Sequence, residues 1–236
     1  FLPVRKRRGF DLPPRVFHIK IHWKKGRLNM AVYFVSGIDT SCGKTFVTGV
    51  LARRELEKGK SVITQKFVQT GCEGISEDIE AHRKAMGISL LPEDKDGTTC
   101  PYVFKFPASA HLASRMENTE IDVKKISSAT KILSEKFDTV FIEGAGGLMV
   151  PVSENFLTID YIARENLPLI LVCSAKLGSI NHSLLSLEVC QKRGINVAKV
   201  VFNNYPEEDA RLSAETCSYL KKYVAKNFPN CEFLEI

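Results

Sequence analysis

The stretch AVYFVSGIDTSCGKT, Ala31 to Thr45, decides the fold. An apolar run from Ala31 to Val35 leads into a loop carrying Gly37 and closing on Gly43-Lys44-Thr45, and Phe46 to Leu51 then follow at helical spacing. A strand, a glycine loop and a helix start are the context that a phosphate-binding loop requires. Such a loop aims several backbone N–H groups at one point, where the helix dipole adds partial positive charge. Lys44 is placed to reach terminal phosphates, and the Thr45 hydroxyl to ligate Mg²⁺. The usual pattern has four residues between its first glycine and Gly-Lys-Thr. Here five, Ile38 to Cys42, follow Gly37, so Ile38 stands at the first-glycine position.

Beyond the loop, Phe46 to Lys58 reads as a helix ended by Gly59, and Ser61 to Gln65 as a short strand with Lys66 at its tip. In open parallel sheets ligands sit at that edge, although position alone leaves a solvated surface lysine as an equal reading. Glu73 to Gly87 begins as loop and becomes a polar helix. Its early acids Glu77, Asp78 and Glu80 are ordinary first-turn residues, and a metal role for Asp78 is the less common reading. Leu91 to Thr99 reads as a charged loop, Ser109 as an N-cap, His111 as a structural histidine, and Asp122 to Lys136 as an amphipathic helix. Asp138 to Glu143, DTVFIE, is a β-branched and aromatic run that ends in one carboxylate, followed by Gly144 to Gly147, whose glycines let backbone approach a ligand closely; the plainer alternative is a polar strand end with a flexible loop. A buried strand with an acid at its C-terminal tip is how phosphate-loop enzymes hold or orient Mg²⁺.

After Asn155 the pattern alternates: helix Leu157 to Arg164, strand Leu167 to Cys173, helix Ile180 to Lys192, strand Asn196 to Asn203, helix Glu207 to Val224. Alternation of this kind predicts an α/β, single-domain, P-loop NTPase-like fold, with a mostly parallel sheet and helices on both faces. The 236 residues suit one such domain. The net charge of +6 is misleading, because residues 1–29 hold nine basic side chains against Asp11 alone, leaving residues 30–236 at −2. Prolines interrupt this leader and no apolar core follows its charges, so it is not a secretory signal. It reads as vector-derived or upstream-translated sequence, expected to be disordered, with Met30 resembling a native start and the domain running from 30 to 236. A nucleic-acid-binding arm there would rest on charge alone. No apolar stretch approaches the ~20 residues that span a membrane. Seven cysteines, widely spaced and without a C-x-x-C pair, argue against a disulfide framework or zinc site and for a reducing cytoplasm. Cys42 reads as a small residue tolerated in the loop.

Taken together, Gly37 to Thr45, Lys66 with Thr70-Gly71, Glu143-Gly-Ala-Gly-Gly147 and Leu177-Gly-Ser-Ile-Asn-His182 resemble the dethiobiotin synthetase family, from Met30 to about Asn204. The five-residue loop spacing is that family's own. The resemblance implies an ATP-dependent carboxylation and ring closure of 7,8-diaminononanoate with CO₂, through a carbamate and a mixed anhydride with phosphate. It also implies a homodimer with the substrate at the interface. It implies Lys44 and Lys66 as the catalytic cations and Thr45, Asp78 and Glu143 as Mg²⁺ ligands. The nucleotide would lie against Ser41, Cys42, Gly43, Lys44, Thr45, Phe46, Asp78, Glu143, Gly144, Ala145, Gly146 and Asn203, the last meeting the base. Substrate would meet Thr40, Lys66, Thr70, Gly147 and, across the dimer, Leu177, Gly178, Ser179, Ile180 and Asn181. Phe67 and Ala110 stand where the family has proline. The family's later base-covering segment is hard to find in Pro229 to Ile236, so other purine nucleotides are expected to serve beside ATP. A corrinoid amide ligase of related fold would need a glutaminase domain for which 236 residues leave no room. A partitioning ATPase would carry an extra lysine between Gly37 and Cys42, where there is none.

Overall fold

The computed structural model describes residues 31–205 and 209–236. The leader, Met30 and the expected helix start at Glu207 lie outside the described residues. In chain order the elements begin with β1 (Ala31–Gly37), α1 (Lys44–Glu57), β2 (Val62–Lys66), β3 (Gln69–Thr70), α2 (Glu77–Met86), α3 (Pro92–Lys95), β4 (Val103–Phe104), α4 (Ala110–Met116) and α5 (Val123–Lys136). They continue with β5 (Thr139–Gly147), β6 (Pro151–Ser153), β7 (Phe156–Leu157), α6 (Thr158–Arg164), β8 (Leu169–Ser174), α7 (Ser179–Lys192), β9 (Val197–Asn203), α8 (Ala210–Asn227) and β10 (Glu232–Glu235). Six strands form one sheet in the order β10-β9-β8-β1-β5-β2, and every pairing in it is parallel.

Neighbouring residues on each strand face opposite cores. Phe34, Ile63, Ile142, Leu171 and Val200 pack with α4 to α8, whereas Val35, Val62, Phe141, Val172 and Val201 pack with Val47, Leu51 and Ala52 of α1 and Met86 of α2. Helices therefore cover both faces, which is why the strands read as nearly unbroken apolar runs. The chain goes to one side of β1 for β2 and β5 and to the other for β8, β9 and β10. That reversal opens a crevice beyond the C-terminal tips of the strands, where ligands bind in open α/β sheets. Among the described residues no helix is long and apolar enough to cross a membrane.

Several expectations change at the local level. The glycines after Glu143 are not a loop: β5 continues through them, and Gly147 lies opposite Gly37 of β1, because backbone without side chains can follow β1 to its tip. The charged loop at 91–99 holds α3, which starts with Pro92 in its first turn and Asp94 accepting from the Leu91 amide at 2.8 Å. Ser109 does occupy the N-cap of α4, but its hydroxyl meets His111 Nδ1 at 3.0 Å rather than a helix N–H. Residues 232–235 form the sixth strand, beside β9, and Asn204 N donates to the Ile236 carbonyl at 2.8 Å.

Behind the sheet edge sits a buried charge pair. Arg83 donates through Nε and Nη2 to the two oxygens of Asp94, both at 2.8 Å, with side-chain exposures of 2% and 0%. Such a pair contributes little net stability, but breaking it leaves a buried carboxylate without its counter-charge. Arg83→Met is therefore expected to lower stability by about 3–5 kcal/mol, read as a lower denaturant midpoint. An unchanged midpoint would show that Asp94 does not depend on Arg83.

Candidate active site

The phosphate loop is shaped by Gly43, the N-cap of α1, which stands at φ +90° and ψ 26°, a left-handed conformation that a side chain disfavours. From there α1 begins directly with Lys44 and Thr45, so the first helical N–H groups lack intrahelical acceptors and are left available to a ligand. Lys44 is buried, and Nζ donates to the carbonyls of Asp39 at 2.8 Å and Thr40 at 3.2 Å. Burial draws its pKa below the ordinary lysine value. Cys42 Sγ points back into the loop at the Asp39 carbonyl, 3.2 Å away, and is almost wholly enclosed. Cys42 is thus a packed part of the loop, as its small size suggested.

Lys66 is not a solvated surface residue. It is the last residue of β2, in register with Glu143 on the neighbouring β5. Its Nζ lies 2.6 Å from Asp78 Oδ2, 2.8 Å from Glu143 Oε1 and 3.1 Å from the Gly144 carbonyl. Burial opposes its charge, but Glu143 and Asp78 outweigh burial and raise its pKa, so the ammonium stays charged. Burial equally opposes the Glu143 charge, yet Lys66 and His82 outweigh it and hold the carboxyl far below the usual range. Asp78 does not cap its helix; Ser76 does, accepting from the Ile79 amide. The Asp78 side chain meets Thr45 Oγ1 at 3.0 Å, and Thr45 Oγ1 also lies 3.1 Å from Glu143 Oε1.

Thr45, Asp78 and Glu143 therefore converge as two carboxylates and one hydroxyl. Among the described residues no group of three or more His, Cys, Asp or Glu is arranged to hold a metal. A sparse, all-oxygen set is nonetheless what Mg²⁺ accepts, since it keeps several of its waters. The donors present fit that ion.

The other expected positions make local contacts of their own. Asn203, at the tip of β9, donates through Nδ2 to the carbonyls of Cys42 and Tyr205, each at 3.0 Å. Phe46 and Tyr205 approach to 5.6 Å between ring centroids beside it, an aromatic pair the sequence reading did not assemble. Ser41 is exposed, and its carbonyl faces Lys176 Nζ at 3.5 Å. Ala145 and Gly146 follow Glu143 on β5, with the Thr40 hydroxyl beside Gly146. Thr70 is on β3, paired with Phe104. Leu177 and Gly178 precede α7, which Ser179, Ile180 and Asn181 open; Ser179 Oγ accepts from the Ser174 amide at 3.3 Å. Leu177 is 86% exposed.

A family model described as an AAA domain matches residues 31–228. Solved structures share the fold at low sequence identity: McdA in its apo form, from Cyanthece, at TM-score 0.51 and 15% identity over 88% of this chain and 86% of that one, and a ParA-family ATPase from Chlorobium tepidum at 0.51 and 15% over 87% and 85%. Identity that low speaks to the fold alone. Sequence relatives are far more similar. ATP-dependent dethiobiotin synthetase BioD 2 of Haemophilus ducreyi is 54% identical over 86% of this chain and 96% of its own length. Its counterpart in Pasteurella multocida is 52% identical over 86% and 95%. ATP-dependent dethiobiotin synthetase BioD of Chlorobaculum tepidum is 53% identical over 81% and 82%. With relatives matched so closely along most of their length, this chain belongs to the dethiobiotin synthetase family.

Proposed function

We propose that this chain makes dethiobiotin from 7,8-diaminononanoate, CO₂ and ATP in biotin biosynthesis, releasing ADP and phosphate. The observation that carries the reading is Lys66 Nζ, enclosed between Asp78 and Glu143 beside the Thr45 hydroxyl of the phosphate loop. One substrate amine attacks CO₂ and loses a proton, giving a carbamate. A carbamate oxygen then attacks the γ-phosphorus as ADP leaves. The second amine attacks the activated carbonyl, closes the ureido ring and expels phosphate.

Both the carbamate and the nucleotide are anions, so bringing them together requires positive charge placed in advance. Lys44 and Lys66 supply it. Mg²⁺, held by Thr45, Asp78 and Glu143, would neutralise phosphate charge during transfer. In the structure Lys44 donates to two carbonyls of its own loop, and we assign the phosphates as the partners it takes up when nucleotide binds. Ser41 to Phe46 and Glu143 to Gly146 would line the nucleotide, with the base at Asn203. Thr40, Thr70 and Gly147 would face the diamine, and the N-terminus of a partner's α7 would receive its carboxylate. Support for a homodimer comes from the apolar side chains left exposed on and just before α7, Leu177 at 86% and Leu185 at 64%. All seven cysteines are free, which fits a reducing cytoplasm.

The test is ATP consumption as a function of added diaminononanoate and bicarbonate, with mass analysis of product formed from labelled bicarbonate. Turnover should need both additions, and one labelled carbon should enter the product. Diamine-independent ATP hydrolysis without labelled product would overturn the reading. Other purine nucleotides, offered at equal concentration, are expected to support part of the rate, and strict ATP use would remove that expectation.

A further inference from the structure

His82 is fully enclosed, carries no role in the proposed reaction and yet has both ring nitrogens occupied. It lies four residues after Asp78 on α2, so the two share a helix face. Its Nε2 stands 2.6 Å from Glu143 Oε2, and its Nδ1 stands 3.0 Å from Thr64 Oγ1. Thr64 is also fully enclosed, two residues before Lys66 on β2, and its oxygen accepts from Arg83 Nη1 at 2.8 Å.

Counting donors assigns the protons. An ionised carboxylate only accepts, so Nε2 carries the hydrogen that faces Glu143. Arginine only donates, so the Thr64 oxygen takes the Arg83 hydrogen and has its own left to give. In the neutral ring Nδ1 is the acceptor for it. The row Arg83, Thr64, His82, Glu143 thus runs in one donor direction, and the grip of Arg83 on Asp94 anchors its far end. A ring held in this way fixes both its tautomer and its plane.

The two oxygens of Glu143 are consequently unlike. Oε2 is taken by His82, while Oε1 meets Thr45 Oγ1 and Lys66 Nζ. We propose that His82 is a positioning residue, whose Nε2–H holds Oε2 so that Oε1 is presented to the phosphate-loop hydroxyl and to the divalent cation. The proposal rests on the reading of Glu143 as a metal ligand. Outer hydrogen bonds of this kind commonly set metal affinity within a factor of about 10–100.

Mn²⁺ serves as the probe, its binding to the full chain saturated with ADP read by electron paramagnetic resonance, with thermal unfolding followed alongside. A glutamine amide nitrogen falls near the position of Nε2, whereas an asparagine amide reaches only that of Nδ1. His82→Leu and His82→Asn are expected to weaken Mn²⁺ binding about 10–100-fold, and His82→Gln to stay within about threefold of the parent. Retention by His82→Asn with loss in His82→Gln, or a folded His82→Leu with parental affinity, would overturn the role. The Asn and Gln comparison decides the matter even where the Leu variant does not fold. Glu143→Gln separates the two layers. If it binds Mn²⁺ like the parent, the metal reading of Glu143 falls and this inference with it. If it binds weakly while the His82 variants do not, only this inference falls.

Discussion

Lys66→Ala is expected to lose turnover by at least roughly 10²–10³-fold in kcat, the scale set by removing one preorganised charge from a transition state. The same substitution should also destabilise the protein, which the sequence alone did not suggest. Lys66 Nζ is the cation within 3 Å of both Asp78 and Glu143, whose side chains are 8% and 1% exposed. Taking it away leaves buried carboxylates facing each other, a change that costs about 3–5 kcal/mol.

The pH dependence follows from the sign of the Glu143 shift. Its folded pKa lies below the ordinary 4.5, so the stability it contributes is present above 4.5 and is lost as pH falls through the folded value. Without Lys66 that contribution shrinks. The deficit of the variant should be largest near neutral pH and should narrow as pH drops below 4.5. Steady-state rates and denaturant melts across pH check both parts. Near-normal kcat would take Lys66 out of the mechanism, and a pH-independent stability deficit would mean that the carboxylates are not its partners.

How far this arrangement could be read beforehand depends on how local each signal is. The phosphate loop is continuous in sequence, so its strand, turn and helix were legible, and so was the carboxylate of the DTVFIE run, although β5 continues past it to Gly147. The alternation of strands and helices likewise carried the sheet class. Strand order is another matter. Lys66 and Glu143 are neighbours because β5 inserts between β1 and β2, and nothing near either residue encodes that insertion. Position alone consequently left Lys66 balanced between ligand cation and surface lysine.

Asp78 resembled a first-turn acid because capping and metal binding select the same residue at the same place. His82 could have been found: a histidine one helical turn beyond a candidate ligand, on the same face, is a local signal. Its acceptor Glu143, 61 residues away, was not. Tyr205 escaped for a related reason, because its neighbour Phe46 lies on the first helix and only the adjacency of β9 to the loop brings the rings together.

Gly43→Ala is expected to reduce ATP affinity about 100-fold, or about 2.7 kcal/mol, while leaving the protein folded. Two costs coincide at this residue. Its φ of +90° disfavours any side chain by about 1–2 kcal/mol. A β-carbon there would also stand 2.0 Å from Asn203 Nδ2 and 3.1 Å from Asn203 Cγ. Asn203 cannot turn aside cheaply, since Nδ2 donates to two carbonyls and Oδ1 accepts from the Tyr205 amide at 3.2 Å. Either the loop or the asparagine must move, so the substitution disturbs the phosphate loop and its contact with the end of β9 together. Val47, Leu51 and Ala52 continue to hold α1 against the sheet, which is why folding survives. Gly59→Ala separates the two costs. Gly59 has φ +81° with nothing within 4 Å of a β-carbon, so that variant should lose stability of about 1 kcal/mol and keep its ATP affinity. Calorimetric titration with ATP and a thermal melt of both variants decide the point. Equal ATP affinity in the two would mean that the contact between the loop and Asn203 does not shape the nucleotide site.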